Sequence, residues 1–136
     1  MSRFYVPLLL LLPACGPTDP LTCYPVAGEV RYRGQPVAEA TVVFHAQGNG
    51  PPSRPLGITD KDGRFKLTTI RNADGAPVGT YRVTVELRQP VWRGEDTIRE
   101  GRHLLPLRYS SPTSTPLQVT VQPGNNDVGV LELSDR

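Results

Sequence analysis

Hydrophobic and polar residues alternate with a period of two along most of this chain. Successive side chains of a strand point to opposite faces, so such alternation marks a half-buried strand. The clearest run is Tyr81–Leu87, with Tyr81, Val83, Val85 and Leu87 on one side and Arg82, Thr84 and Glu86 on the other. Val26, Gly28, Val30 and Tyr32 alternate in the same way with Ala27, Glu29 and Arg31. Over Ala40–Ala46, Val42, Phe44 and Ala46 face one way and Thr41, Val43 and His45 the other, a mixture in which both faces are partly covered. Leu56–Thr59 reads as a short strand, and Phe65, Leu67 and Thr69 alternate with Arg64, Lys66 and Thr68. Leu117, Val119 and Val121 repeat the pattern. Asp127–Leu133 completes a set of seven, and its change of phase between Val130 and Leu131 predicts a bulge near Gly129.

Turn residues fall between these runs: Gly34-Gln35-Pro36, Asp60-Lys61-Asp62-Gly63 and Pro123-Gly124-Asn125-Asn126. The 136 residues include 15 Pro and 13 Gly, and the longest stretches free of both are Val37–Gln47 and Arg64–Asp74. That spacing excludes a helical bundle or coiled coil and leaves little room for a βαβ unit. A net charge of only +2 with 38% hydrophobic residues argues against disorder. Seven short strands at this spacing predict one all-β domain, a seven-stranded antiparallel β-sandwich whose apolar faces meet between two sheets.

The N-terminus carries a different pattern. Arg3 precedes nine apolar residues, Phe4–Leu12. A helix of that length covers about 14 Å of a hydrocarbon core roughly 30 Å thick, too little to span but suited to the h-region of a signal peptide. Leu12-Pro13-Ala14-Cys15-Gly16 then resembles a bacterial lipobox. The resemblance implies cleavage after Ala14 and lipid, palmitate included, on Cys15. A lipid-bearing terminus with more than one acyl chain anchors stably to a membrane. It also implies a cell-envelope address with the domain facing the periplasm or exterior, and Gly16 in place of Asp favours the outer membrane over the inner. An ordinary signal peptide cut after Ala14 and an apolar N-terminal strand are the alternatives. If Cys15 carries lipid, Cys23 has no partner for a disulfide within the chain; a Cys15–Cys23 disulfide is the rival arrangement. Gly16–Pro25 holds three prolines and no periodicity. The organisation read from these features is a signal peptide over 1–14, a tether over 15–25 and a β domain over 26–136.

Val26-Ala27-Gly28-Glu29-Val30, Gly34-Gln35-Pro36-Val37-Ala38-Glu39-Ala40-Thr41-Val42 and Thr59-Asp60-Lys61-Asp62-Gly63-Arg64-Phe65 resemble carboxypeptidase regulatory-like and transthyretin-like domains. Asp74–Val83 and Tyr109-Ser110-Ser111-Pro112 ahead of Ser114-Thr115-Pro116-Leu117 resemble a lipoprotein subgroup of that family. The resemblance implies a prealbumin-like or immunoglobulin-like sandwich and no activity, since fold does not fix function. Within it, Tyr81 is expected to bury its ring and hydrogen-bond backbone through its hydroxyl, as a corner tyrosine does.

Candidate chemistry is sparse. Asp60-x-Asp62-Gly63 starts like a calcium loop, but Arg64 and Arg71 stand where further oxygen ligands belong. His45, His103 and Cys23 lack paired zinc spacing. The Tyr-Arg-Gly-Ser terminus of transthyretin-like hydrolases is absent, as are a nucleophile elbow and a phosphate-binding loop. The expectation is a protein that is not an enzyme, with no cofactor and no metal.

Gln89–Ser114 is the least regular segment. It holds the chain's single tryptophan, Trp92, with Arg93, Arg99, Arg102, His103, Arg108 and Tyr109. Its four arginines face three acids, Glu95, Asp96 and Glu100, which is no nucleic-acid patch. Loops this long are uncommon unless functional or mobile, and Trp and Arg are frequent interface anchors. One reading is a surface that binds another envelope protein or a polysaccharide. The other is a solvated insertion whose Trp92 tucks onto the sheets. The functional expectation is a lipid-anchored envelope protein with an interaction or structural module, alternatively a carbohydrate- or polymer-binding module, and less readily a small hydrolase.

Overall fold

The computed structural model describes residues 22–48 and 53–136. Ala14, Cys15, the signal segment and most of the tether lie outside the described residues. The described chain is nearly all β. In order its strands are β1 (Cys23–Tyr24), β2 (Val26–Tyr32), β3 (Gln35–Pro36), β4 (Thr41–Ala46), β5 (Leu56–Ile58), β6 (Arg64–Lys66), β7 (Ala76–Pro77), β8 (Gly79–Glu86), β9 (Val91–Arg93), β10 (Asp96–Ile98), β11 (Gln118–Val121) and β12 (Asn126–Leu133). Each of the seven alternating runs forms a strand, namely β2, β4, β5, β6, β8, β11 and β12.

Two four-stranded sheets carry the fold. One has the order β11-β8-β4-β5, and its pairs are all antiparallel. In the other, β2 is flanked by β12 on one edge and by β3 and β6 on the opposite edge. The β5–β6 turn is built by Asp60, whose Oδ1 accepts from the N–H groups of Asp62 (2.9 Å) and Arg64 (3.0 Å). Gly63 takes the left-handed conformation that the turn requires, at φ 77°.

The expected wholly antiparallel arrangement fails at one pair: β12 runs parallel to β2, with Asn126 opposite Val26 and Leu133 opposite Tyr32. The chain leaves β11 and crosses to the other sheet at the same end of the molecule, where the Asn126 N–H donates to Pro25 O at 2.9 Å. It can then only run alongside β2 in the same direction. The register shift lies between Asp127 and Val130, where Gly129 has φ 70°, and it brings Leu131 and Leu133 inward while Val130 stays exposed.

Both sheets feed one core. Val26, Val30, Phe65, Leu131 and Leu133 come from the sheet built around β2, and Val42, Phe44, Tyr81, Val83, Val85 and Val121 from the β11-β8-β4-β5 sheet. Burying each such side chain is worth roughly 1.5–3 kcal/mol. Gly28 takes an inward position because a Cβ there would stand 2.8 Å from Phe65 Cζ and 2.5 Å from Val128 Cγ2. Tyr81 meets its expected role: its ring is buried, 5.6 Å from Phe44 between centroids, and its hydroxyl donates to Pro77 O at 2.6 Å.

The chain joins the fold earlier than Val26. Cys23 and Tyr24 pair with Pro77 and Ala76. Register thus defines two poles. Cys23–Pro25, Ala76–Gly79 and Val121–Asn126 lie at one, and Tyr32–Gln35, Glu39–Thr41, Glu86–Arg88 and Leu133–Ser134 lie at the other.

Candidate interaction surface

The segment that follows β8 is more ordered than its sequence implies. β9 and β10 form an antiparallel hairpin, with Trp92 opposite Thr97 and Val91 opposite Ile98. Gly94 turns it at φ 65°. Its base is closed by Gln89 N–H to Arg102 O and Gly101 N–H to Gln89 O, both 2.9 Å, and by an antiparallel bridge between Arg88 and His103. Alternation missed it, unlike β5 and β6 of the same length, because no apolar face recurs along it. A hairpin standing largely in solvent has no buried face to make apolar.

One ion pair ties the hairpin to the domain and a second braces it internally. Arg99 bridges to the Glu39 carboxylate on the body of the domain and donates to Arg88 O at 2.9 Å. Glu39 itself has φ 61°, a left-handed conformation that costs a non-glycine residue roughly 1–2 kcal/mol. Its N–H donates to Thr59 O at 2.9 Å, which helps fix that geometry. Arg93 pairs with Glu100 across the hairpin at 3.2 Å.

Trp92 does not tuck onto the sheets: it is 75% exposed. Arg93 and Arg102 are exposed, and His103 is half-buried at the hairpin base. The structure therefore places Trp92, Arg93, Arg99, Arg102 and His103 on one hairpin and its root. It separates Tyr109 and Arg108 from them. Tyr109, expected at the surface, is only 1% exposed and belongs to the core.

A single 3-10 turn, Leu107–Ser110, inserts the Tyr109 ring, and Arg108 lies over it with its guanidinium carbon 4.8 Å from the ring centroid. The Tyr109 hydroxyl accepts from Arg108 Nη2 at 2.8 Å and from the Ser134 N–H at 2.9 Å. Burial pulls that hydroxyl's pKa up, but the Ser134 donors and the Arg108 guanidinium outweigh it and hold it below the ordinary tyrosine value. Arg108 also donates to Ser134 O at 2.6 Å. The pair is a clasp between this segment and the strand end beside β12. Tyrosine's apolar ring and polar tip suit core and surface alike, so its sequence context could not decide.

The sequence reading passed over the apolar residues of the same segment. Leu107 is 64% exposed, and Leu104 and Ile98 are also exposed. Elsewhere, a shallow open groove crosses the outer faces of β2, β5 and β6, lined in part by Glu29, Leu56, Ile58, Arg64 and Lys66. Cys23 is half-buried in β1 and its thiol hydrogen-bonds the Asp74 carboxylate. Burial pulls the Asp74 pKa up, but the N–H groups of Arg71, Thr69 and Ile70, with the thiol, hold it below the usual carboxylate value. Among the described residues, no group of three or more His, Cys, Asp and Glu is placed to hold a metal ion.

No family model and no curated protein matches the chain. Among solved structures, it is similar to a 9R-lipoxygenase from Cyanothece PCC8801 at 14% identity and a TM-score of 0.47, covering 82% of this chain and 16% of that one. A DUF3823 family protein from Parabacteroides merdae gives 14% and 0.43, covering 82% and 44%. A protein from Pseudomonas aeruginosa, provisionally named carbohydrate binding, gives 17% and 0.43, covering 87% and 92%. The chain thus spans less than half the length of the first two. Likeness of this degree assigns neither ligand nor activity.

Proposed function

We propose that this chain is a lipid-anchored, non-enzymatic protein of the bacterial cell envelope whose β domain displays the Gln89–His103 hairpin as an interaction surface. In this reading the seven main strands form a sandwich of the carboxypeptidase regulatory-like or prealbumin kind, and Cys15 carries the lipid after cleavage behind Ala14. The observation that carries the reading is Trp92, three-quarters exposed on a hairpin fixed by backbone bonds and by the Arg99–Glu39 pair. An exposed tryptophan forfeits the burial energy that would otherwise retain it, and Trp and Arg are the commonest interface anchors.

Two measurements test it. Labelled palmitate should enter the wild-type chain and not Cys15→Ser; incorporation that persists in the variant sinks the anchor. A photo-crosslinker at Thr97, opposite Trp92, should capture a partner from native membranes, and the adduct should vanish with Trp92→Ala. Equal capture by a crosslinker on the far sheet edge at Thr120 would overturn the assignment of the surface.

A further inference from the structure

The two poles bear on what the hairpin can reach. Cys23 and Tyr24 pair with Pro77 and Ala76, directly before β8 begins at Gly79. β8 then runs eight residues to Glu86, and the hairpin begins five residues later at Val91. Seven steps of extended chain span about 23 Å. The hairpin does not fold back over this distance: Arg99 meets Glu39, beside the Thr41–Glu86 pair, and the Leu104 N–H donates to Leu87 O at 2.8 Å. Trp92 therefore stands at the pole opposite the one where the chain arrives from its N-terminal side.

Charge narrows the occupant. Arg93 is neutralised by Glu100 and Arg99 by Glu39, while Arg88 and Arg102 at the hairpin root make no ion pair among the described residues. Glu95 and Asp96 at the hairpin turn are exposed and make no ion pair among the described residues. Those two unpaired arginines are matched in number by the two unpaired acids, so an anionic bilayer or polyanion would meet no net cationic surface there. What remains on the face of Trp92 is one flat aromatic ring with the Thr97 hydroxyl directly opposite it. Facing residues of a strand pair share one side of the hairpin. Such a surface suits a partner with a flat C–H face to stack and hydroxyl groups to donate, which is the chemistry of an uncharged sugar ring.

We propose that Trp92 is a stacking platform for a neutral polysaccharide, presented at the pole away from the anchored end. This rests on the display function proposed above and names its partner class. Because Trp92 is the chain's single tryptophan, its fluorescence reports on the site alone. The full-length chain should be titrated with cellohexaose, maltohexaose and chitohexaose, and with phosphatidylglycerol vesicles. The expected result is a saturable blue shift with at least one oligosaccharide and none with the vesicles. Calorimetry on the same oligosaccharide should show at least about a tenfold loss of affinity in Trp92→Ala, partly restored in Trp92→Tyr. A blue shift with vesicles and none with sugars overturns the proposal in favour of a membrane contact. Silence with all three sugars while the Thr97 crosslinker captures a protein overturns the sugar and leaves the display function standing. Silence in both assays overturns both.

Discussion

Tyr109 shows how one buried hydroxyl ties a surface segment to the core. Its oxygen takes hydrogen bonds from Arg108 and from the Ser134 N–H. Removing it leaves the Ser134 N–H unmatched, while Arg108 keeps its bond to Ser134 O, at a cost of about 1–3 kcal/mol. Tyr109→Phe should lower the urea midpoint accordingly with the slope unchanged; an unaltered midpoint would show that water replaces the hydroxyl freely. His45 tests a second residue-scale effect. Its ring nitrogen lies 2.9 Å from Thr84 Oγ1, and burial, then the charge of Arg54, pushes its pKa below the ordinary value. The folded state thus holds His45 neutral more firmly than the unfolded chain does. That contribution is full above the unfolded value of about 6.5 and is lost as the pH falls through the folded value. Urea midpoints of the wild type should fall across this interval, and those of His45→Gln should fall less. At this scale the sequence showed which residues alternate and that Tyr81 belongs inside. It could not show that Tyr109 also does, because a 3-10 turn rather than an alternating strand delivers that ring.

The β9–β10 hairpin is held by its base and by one ion pair that reaches the body of the domain. Exposed pairs contribute only about 0–1 kcal/mol, so Arg99→Ala should leave the global melting temperature within a few degrees of wild type. Its effect should be local: amide exchange over Gln89–His103 should accelerate while β8 and β4 stay protected. Unchanged exchange in the hairpin would mean that the backbone bonds at Gln89 suffice to hold it. The seven main strands were legible because one buried face imposes a period of two, and Asp60–Gly63 was legible because its turn needs those residue types. The shortest elements were not. β1, β3 and β7 have two residues each, too few to carry a pattern; β1 and β7 exist because tertiary contacts bring them alongside each other, and β3 because the Arg33-Gly34 turn folds it back on β2.

At the scale of the molecule, the two sheets depend on a common core, so a charge placed in it should be felt everywhere. Val85 is 1% exposed and faces Val42 across β8 and β4. Val85→Asp should abolish the cooperative thermal transition seen by circular dichroism, because a buried unpaired carboxylate costs more than a small domain's whole margin. A sharp transition in that variant would refute the placement of β8. The sequence by itself determined the all-β class, the seven main strands, their inward faces and the bulge near Gly129, since each depends on local alternation and on turn residues. Only the tertiary structure decided that β12 runs parallel to β2, that Arg99 reaches Glu39 sixty residues away, that Tyr109 is core, and that Trp92 stands exposed at the pole opposite Cys23. Strand direction and pole are properties of the path between elements. Residues distant in sequence meet through that path, and no local period encodes it.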